Sequence, residues 1–178
     1  LNPYTILQFG FGFAYKGVER GLEAIAHLKD RDEKFRRIFY IVLISENDYN
    51  SRHHLEYYHK LCEKIKELDL EENVALVRRF HSEQMLCLYL RLAKLAIFPY
   101  INNPNNTVFG ASGAIRLAVA NRIPVIASES HLFDDFEGIV PRPDNPHALA
   151  DEIDKVFSDT KYRDSIIAGC ESYQKHNS

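Results

Sequence analysis

The feature that most constrains this chain is an ordered alternation of apolar, strand-like runs with segments whose apolar residues recur at helical spacing. Tyr4 to Phe9 is apolar and ends at Gly10, and Val18, Leu22, Ile25 and Leu28 follow with a helical period. Phe35 to Ser45 is rich in Ile, Val, Phe and Tyr without alternation, as in a central strand covered on both faces. Leu55, Tyr58, Leu61, Ile65 and Leu68 then mark an amphipathic helix, and Asn73 to Phe80 reads as a third strand. Ser82 caps a helix through Leu92, Leu95 to Tyr100 is a fourth strand, Ser112 to Asn121 a helix and Ile123 to Ser128 a fifth strand, with Gly138 to Val140 as a sixth. Asn145-Pro146 opens a helix with an amide N-cap and a proline at its first position, and Thr160 to His176 forms the last helix.

Strands alternating with helices imply parallel strands joined by right-handed crossovers. The expected fold class is α/β: an open, doubly wound parallel sheet of about six strands with helices on both faces. At 178 residues the expectation is a single domain spanning 1–178. Ligands on such sheets bind beyond the carboxyl ends of the strands, so function is expected in the loops after Phe9, Ser45, Phe80 and Tyr100.

Composition removes several function classes. Lys and Arg number 22 against 25 Asp and Glu, a net charge of −3, which is too balanced for a nucleic-acid wrap or a polybasic membrane anchor. The longest apolar run, Ile38 to Ile44, is far short of the ~18 residues of a membrane helix, and no signal-peptide pattern opens the chain. A soluble, cytoplasmic domain is expected. Cys62, Cys87 and Cys170 are odd in number and widely spaced, which fits free thiols in a reducing compartment. The start at Leu1 without methionine reads as a cut from a longer protein.

Two loops carry signals for an anion. After the first strand comes Gly10-Phe11-Gly12-Phe13-Ala14-Tyr15-Lys16-Gly17, where glycines allow backbone N–H groups to approach a phosphate, the next helix adds its positive end, and Lys16 adds a full charge. The same glycines also suit a plain tight turn. A dinucleotide fingerprint fails at Tyr15, which stands where the third glycine belongs, and a nucleotide P-loop fails because Gly17-Val18 follows Lys16. Glu46, at the end of the second strand, keeps a nicotinamide-dependent oxidoreductase as an alternative, as a mimic of its ribose-binding acid. The second loop runs from Phe98-Pro99-Tyr100 through 101–109 to Gly110-Ala111-Ser112-Gly113-Ala114. Its small residues leave N–H groups uncovered at a helix start, so the two loops together suit a diphosphate. Arg116, one turn after Ser112, is rationalised by a bound anion or by plain solvation.

These segments in this order resemble the nucleotide-sugar-binding domain of group 1 glycosyltransferases, the C-terminal half of the two-domain GT-B architecture. The resemblance rests on Ile6-Leu7-Gln8-Phe9-Gly10, Lys16-Gly17-Val18-Glu19, Leu22-Glu23-Ala24, Phe98-Pro99-Tyr100, Ala118 to Ser128, Gly138-Ile139-Val140 and Asn145-Pro146. It implies a Rossmann-like domain that binds a UDP- or GDP-linked sugar for transfer to a saccharide or lipid-linked acceptor, as in polysaccharide biosynthesis. By the same resemblance the transfer would be retaining and would need no metal or other cofactor. An N-terminal acceptor domain would be the missing partner, the parent protein could lie at the inner face of a membrane, and the chain alone would be inactive.

By this resemblance Lys16 is the catalytic residue and, with Gly10 and Gly12, holds the diphosphate, supported by Ala111, Ser112 and Gly113. Arg79 and Phe80 lie by the base, and Phe11, Glu46, Thr107, Phe109 and Arg116 complete the expected donor site. The chain departs from the family pattern at definite places. Phe11 stands where the family has arginine, and the two family glutamates fall at Leu117 and near Thr107 or Phe109. A carboxylate grip on the ribose is therefore missing there, and the domain either holds its donor differently or serves as a noncatalytic scaffold.

Other candidates are weaker. His53, His54 and His59 lack the i, i+4 spacing that lets a helix share a metal, and solvated helix histidines are expected. His81 reads as a capping or surface residue, and Ser128 and Ser130 lack a nucleophile-elbow context.

Overall fold

The computed structural model describes residues 2–46, 51–102 and 112–177. Among the described residues five parallel strands form one sheet: β1 (Thr5–Phe11), β2 (Phe39–Ser45), β3 (Val74–Arg78), β4 (Leu95–Phe98) and β5 (Val125–Ala127), in the order β3-β2-β1-β4-β5. The chain steps outward from β1 to β3, returns across the sheet to β4, and steps outward again to β5. The switch point lies between β1 and β4. Thr5 through Phe11 of β1 run in register with Phe39 through Ser45 of β2, while Ile6 and Leu7 pair with Leu95 and Ala96 on the other side.

Six α-helices among the described residues cover the sheet: α1 (Val18–Arg31), α2 (Ser51–Glu67), α3 (Glu83–Leu92), α4 (Gly113–Ala120), α5 (Pro146–Ser158) and α6 (Thr160–Asn177). Right-handed crossovers put α1 and α2 on one face, joined by α5, and α3 and α4 on the other, while α6 packs against α4 and α5. The helices start where the sequence has the chemistry for it. Ser82 Oγ accepts from the Met85 N–H, and Asn145 Oδ1 accepts from the Ala148 N–H with Pro146 opening the helix. Val18, Leu22, Ile25 and Leu28 of α1 are buried, as are Leu149, Ile153 and Val156 of α5, which gives two apolar stripes packed against each other.

Two segments differ from the sequence reading. The second strand begins at Phe39, because Asp32 accepts a hydrogen bond from the Lys34 N–H and starts a 3-10 turn over Glu33–Arg37 that buries Phe35 sideways. Gly138 to Val140 makes a turn rather than a sixth strand, which leaves five strands among the described residues. That turn follows a 3-10 segment, His131–Phe136, and the Val140 N–H still bonds back to the Phe136 carbonyl at 3.3 Å. A lone hydrogen bond from the Ala127 N–H to the Pro141 carbonyl is all that links this stretch to β5 among the described residues.

The thiols are free, with Cys170 buried in the α6 packing and pushed up to about 11 by that burial. No described helix is long and apolar enough to cross a membrane.

Candidate functional site

A cavity of about 390 Å³ opens at the carboxyl ends of the strands, over the switch point. Its walls come from β1 and its loop (Phe9, Gly10, Phe11, Tyr15, Lys16), the end of β2 (Ser45), the segment after β3 (Phe80, His81), α3 (Leu86), the start of α4 (Ser112, Gly113, Ala114, Leu117) and Leu132. Lys16 is the one fully charged side chain among these residues, and no carboxylate is among them. A larger, open groove of about 650 Å³ lies along α6 and residues 138–141, away from the strand ends.

Lys16 is placed by contacts that begin inside the sheet. Gln8, a buried amide in the middle of β1, donates from Nε2 to the Lys16 carbonyl at 2.8 Å, and its Oε1 accepts from the buried Tyr40 hydroxyl. The next residue, Gly17, has φ +66, and a Cβ there would lie 1.9 Å from the Pro99 carbonyl oxygen. Only glycine fits that approach. With the Ile101 N–H donating to the Tyr15 carbonyl at 2.7 Å, it fastens the β1 loop to the end of β4. At Gly10 the φ of +148 favours glycine, while a Cβ there would meet Lys16 Cε only at ordinary contact distance, 3.7 Å.

The Lys16 ammonium donates to the Tyr100 hydroxyl at 2.7 Å and lies 4.1 Å above the Tyr100 ring centroid. Among the described residues no carboxylate pairs with it. Removal from water without a counter-ion lowers its pKa from 10.5 to about 8. An anion brought into the cavity would restore the cation.

The Tyr100 hydroxyl also lies 3.1 Å from Ser112 Oγ, at the N-cap of α4. Burial pushes its ionisation well above the usual tyrosine range, so it stays a neutral hydroxyl. Ser112 makes no side-chain cap, and its own N–H donates to the Leu132 carbonyl at 3.3 Å. In the first turn the N–H groups of Gly113, Ala114 and Ile115 have no intrahelical acceptor, and Gly113 and Ala114 line the cavity. A lysine, a serine hydroxyl and a helix N-terminus thus converge on one end of it.

The remaining expected site residues divide. Gly10, Phe11, Phe80 and Gly113 line the cavity with Lys16 and Ser112, and Phe80 is 72% exposed at its rim. Gly12 turns away: its N–H donates to the Ser45 carbonyl at 3.0 Å and its carbonyl meets His54 Nδ1 at 2.8 Å. Glu46 is paired with Arg78 at 2.5 Å and does not line the cavity. Arg79 stands behind it, with Nε donating to His81 Nε2 at 3.3 Å. Arg116 leaves the site, because its guanidinium pairs with Asp135 and bonds the Tyr173 hydroxyl at 2.9 Å. Thr107, Phe109 and Ala111 lie outside the described residues.

Sequence reasoning missed Tyr100, Gln8, Tyr15 and His81 as site residues. A signal existed for two of them: a glutamine in the middle of an apolar central strand, and a tyrosine at the carboxyl end of β4. His54 corrects an expectation, since it is buried against the Phe13 ring at 4.9 Å rather than solvated; it braces the β1 loop. Among the described residues no group of three or more His, Cys, Asp or Glu is arranged to hold a metal ion.

Comparison with known proteins then gives the following. The family model described as glycosyl transferases group 1 matches residues 1–171. No curated protein matches the chain in sequence. Among solved structures, trehalose-6-phosphate synthase OtsA superposes with a TM-score of 0.81 at 12% identity, covering 99% of this chain and 41% of that one. The C-terminal domain of the group 1 family protein LpcC from Francisella tularensis gives 0.73 at 18% identity, covering 97% of this chain and 85% of that one. Anabaena HepE, in complex with UDP and glucose, gives 0.70 at 16% identity, covering 96% of this chain and 43% of that one. The chain therefore spans about two-fifths of the length of OtsA and HepE.

Proposed function

As this chain belongs to the group 1 glycosyl transferases, we propose that its cavity holds a UDP- or GDP-linked sugar for transfer to a saccharide or lipid-linked acceptor. The observation that carries the reading is Lys16: a desolvated ammonium without a carboxylate partner among the described residues, beside the uncovered first turn of α4. The diphosphate sits between them, and the base extends past Ser45 toward Phe80 at the β3 edge. The UDP in the HepE complex supports this ligand class.

In this reading Lys16 and the Gly113 and Ala114 N–H groups meet the charge that develops on the departing nucleoside diphosphate. That is electrostatic catalysis by donors already in place. Tyr100 and Ser112 orient the ammonium and fill the space that water would otherwise take. The transfer is retaining and uses neither metal nor another cofactor. A second, N-terminal domain supplies the acceptor contacts, the whole protein works in the cytoplasm or at the inner face of a membrane, and the isolated chain binds donor without transferring sugar.

Isothermal titration of the folded chain with UDP, GDP and their sugars tests the donor site. Binding in the micromolar to low-millimolar range is expected, and absence of binding by all of them at millimolar concentration removes the proposal. Detectable sugar transfer by the chain alone overturns the requirement for a second domain.

A further inference from the structure

The exposed large apolar side chains among the described residues are Phe11, Leu55, Phe80, Met85, Leu88 and Leu92. Phe11 and Phe80 line the cavity already described. Met85, Leu88 and Leu92 share one helix, α3, at positions i, i+3 and i+7, so they form a single stripe with Leu88 in the middle, 52% exposed. Leu86, which α3 contributes to the cavity, lies on the opposite side of the helix. The stripe therefore stands back to back with the cavity and has no part in it.

Beside Leu88 runs a groove of about 460 Å³, lined by Glu83, Gln84, Cys87, Leu88 and Arg91. Gln84, Cys87, Leu88 and Arg91 are spaced i, i+3, i+4 and i+7, the four-residue frame that receives a side chain from a facing helix. α3 thus carries a projecting leucine and a socket side by side.

The pattern about Leu88 reads the same from both ends. Gln84 and Arg91 lie four residues before and three after it on one flank, and Met85 and Leu92 lie three before and four after it on the other. Turning a second copy through 180° about an axis beside Leu88 sets Leu88 against Leu88, Met85 by Leu92, and Gln84 of one copy by Arg91 of the other. Glu83, one residue further out, brings a carboxylate to that same guanidinium. Glu83 and Arg91 are both exposed, and neither side chain has an ion pair or hydrogen bond among the described residues. Antiparallel neighbours also oppose their helix dipoles. An unrelated partner has no need of this symmetry; a second copy requires it.

We propose that α3 is a self-association surface on which two copies of this chain pair antiparallel about Leu88, each Leu88 entering the other's groove and Glu83 of each facing Arg91 of the other. Ten residues make a helix about 15 Å long, so the buried area falls at the low end of specific interfaces and the dimer is weak and reversible. The pairing does not depend on the donor-site reading.

Sedimentation equilibrium of the folded chain, from low micromolar to millimolar concentration, tests it. A monomer–dimer equilibrium with Kd of roughly 10 to 500 µM is expected, and a chain that stays monomeric throughout overturns the proposal. Leu88→Arg should weaken association about tenfold or more, because it carries a charge into the centre of the contact, and should leave any UDP or GDP affinity within about twofold. Arg91→Glu sets like charges together and should weaken association about tenfold, and the exchange Glu83→Arg with Arg91→Glu should return it to within about threefold of wild type. Association that survives Leu88→Arg, or that the exchanged charges do not rescue, overturns the two-fold pairing. If Leu88→Arg does not fold, Leu88→Cys in a Cys87→Ser background decides. Mild oxidation should link two copies through residue 88, while Leu55→Cys on α2 in the same background stays unlinked; equal linking of the two, or none, overturns it.

Discussion

The β1 loop and the start of α4 are alike in sequence in one respect, each bringing glycine to a strand end just before a helix, but they do different work. In the β1 loop the backbone is already occupied: the N–H groups of Gly12, Phe13, Lys16 and Gly17 donate to the carbonyls of Ser45, Phe11, Phe13 and Ala14. What this loop offers the cavity is a side chain, the Lys16 ammonium. At α4 the situation is reversed. The Ser112 side chain makes no cap to the first turn, and Gly113 and Ala114 of that turn line the cavity. Glycine identity alone does not tell whether an N–H is available; the partner of each N–H does.

Several measurements would break or sharpen this contrast. The largest effect belongs to Gly17→Ala, which places a methyl group 1.9 Å from the Pro99 carbonyl at φ +66. It should destabilise the fold by about 3 kcal/mol or more in urea denaturation, because backbone must move on both sides. An unchanged midpoint would mean that the loop is not fastened to β4. Lys16→Ala should leave stability nearly intact and lower UDP or GDP affinity by about 10- to 100-fold, the worth of a charge-assisted hydrogen bond. An unchanged affinity would transfer the anion entirely to α4.

The pH profile of binding separates charge from backbone. Below pH about 8 Lys16 is a cation in the free protein; above it the charge is lost. A bound diphosphate raises that pKa, so binding takes up a proton and affinity should fall above pH about 8, by up to tenfold per pH unit. Lys16→Ala should flatten this limb, whereas a limb that survives would point to another group. Tyr100→Phe removes the acceptor of the Lys16 proton and should cost about three- to tenfold in affinity while moving the limb to lower pH. Arg116→Ala, by contrast, should change donor affinity less than twofold, since its partners are Asp135 and Tyr173 on the far side of α4.

Much of the architecture was legible because burial on both faces of a parallel sheet forces continuous apolar runs, and those runs alternate with helical periods. The misreadings have local causes. Phe35 is as apolar as a strand residue, but the Asp32 cap bends its segment into a 3-10 turn. Gly138 to Val140 has strand composition, but the Ile139 and Val140 N–H groups turn back to the Phe136 carbonyl instead of joining a ladder.

The site was harder to read than the fold. Lys16, Phe80 and Ser112 were recognisable because a charge, a bare aromatic and an N-cap sit at strand ends, where such sheets bind ligands. Arg116 was misplaced because helical periodicity gives a residue's direction but not its neighbours, and Asp135 and Tyr173 lie far along the chain. His54 reads as a solvated helix residue and becomes buried only when the distant β1 loop folds against it.

By itself the sequence determined the class of fold, the order of its elements, the family and the loops that reach the ligand edge, because each follows from local periodicity or from ordered motifs. The tertiary structure decided which groups in those loops are free to act. Hydrogen bonding and desolvation depend on contacts across the chain: Tyr40 with Gln8, Lys16 with Tyr100, and His54 with Gly12. These contacts turn a lysine into a cation with no carboxylate partner among the described residues, a tyrosine into its neutral acceptor and a helix histidine into a brace for the β1 loop.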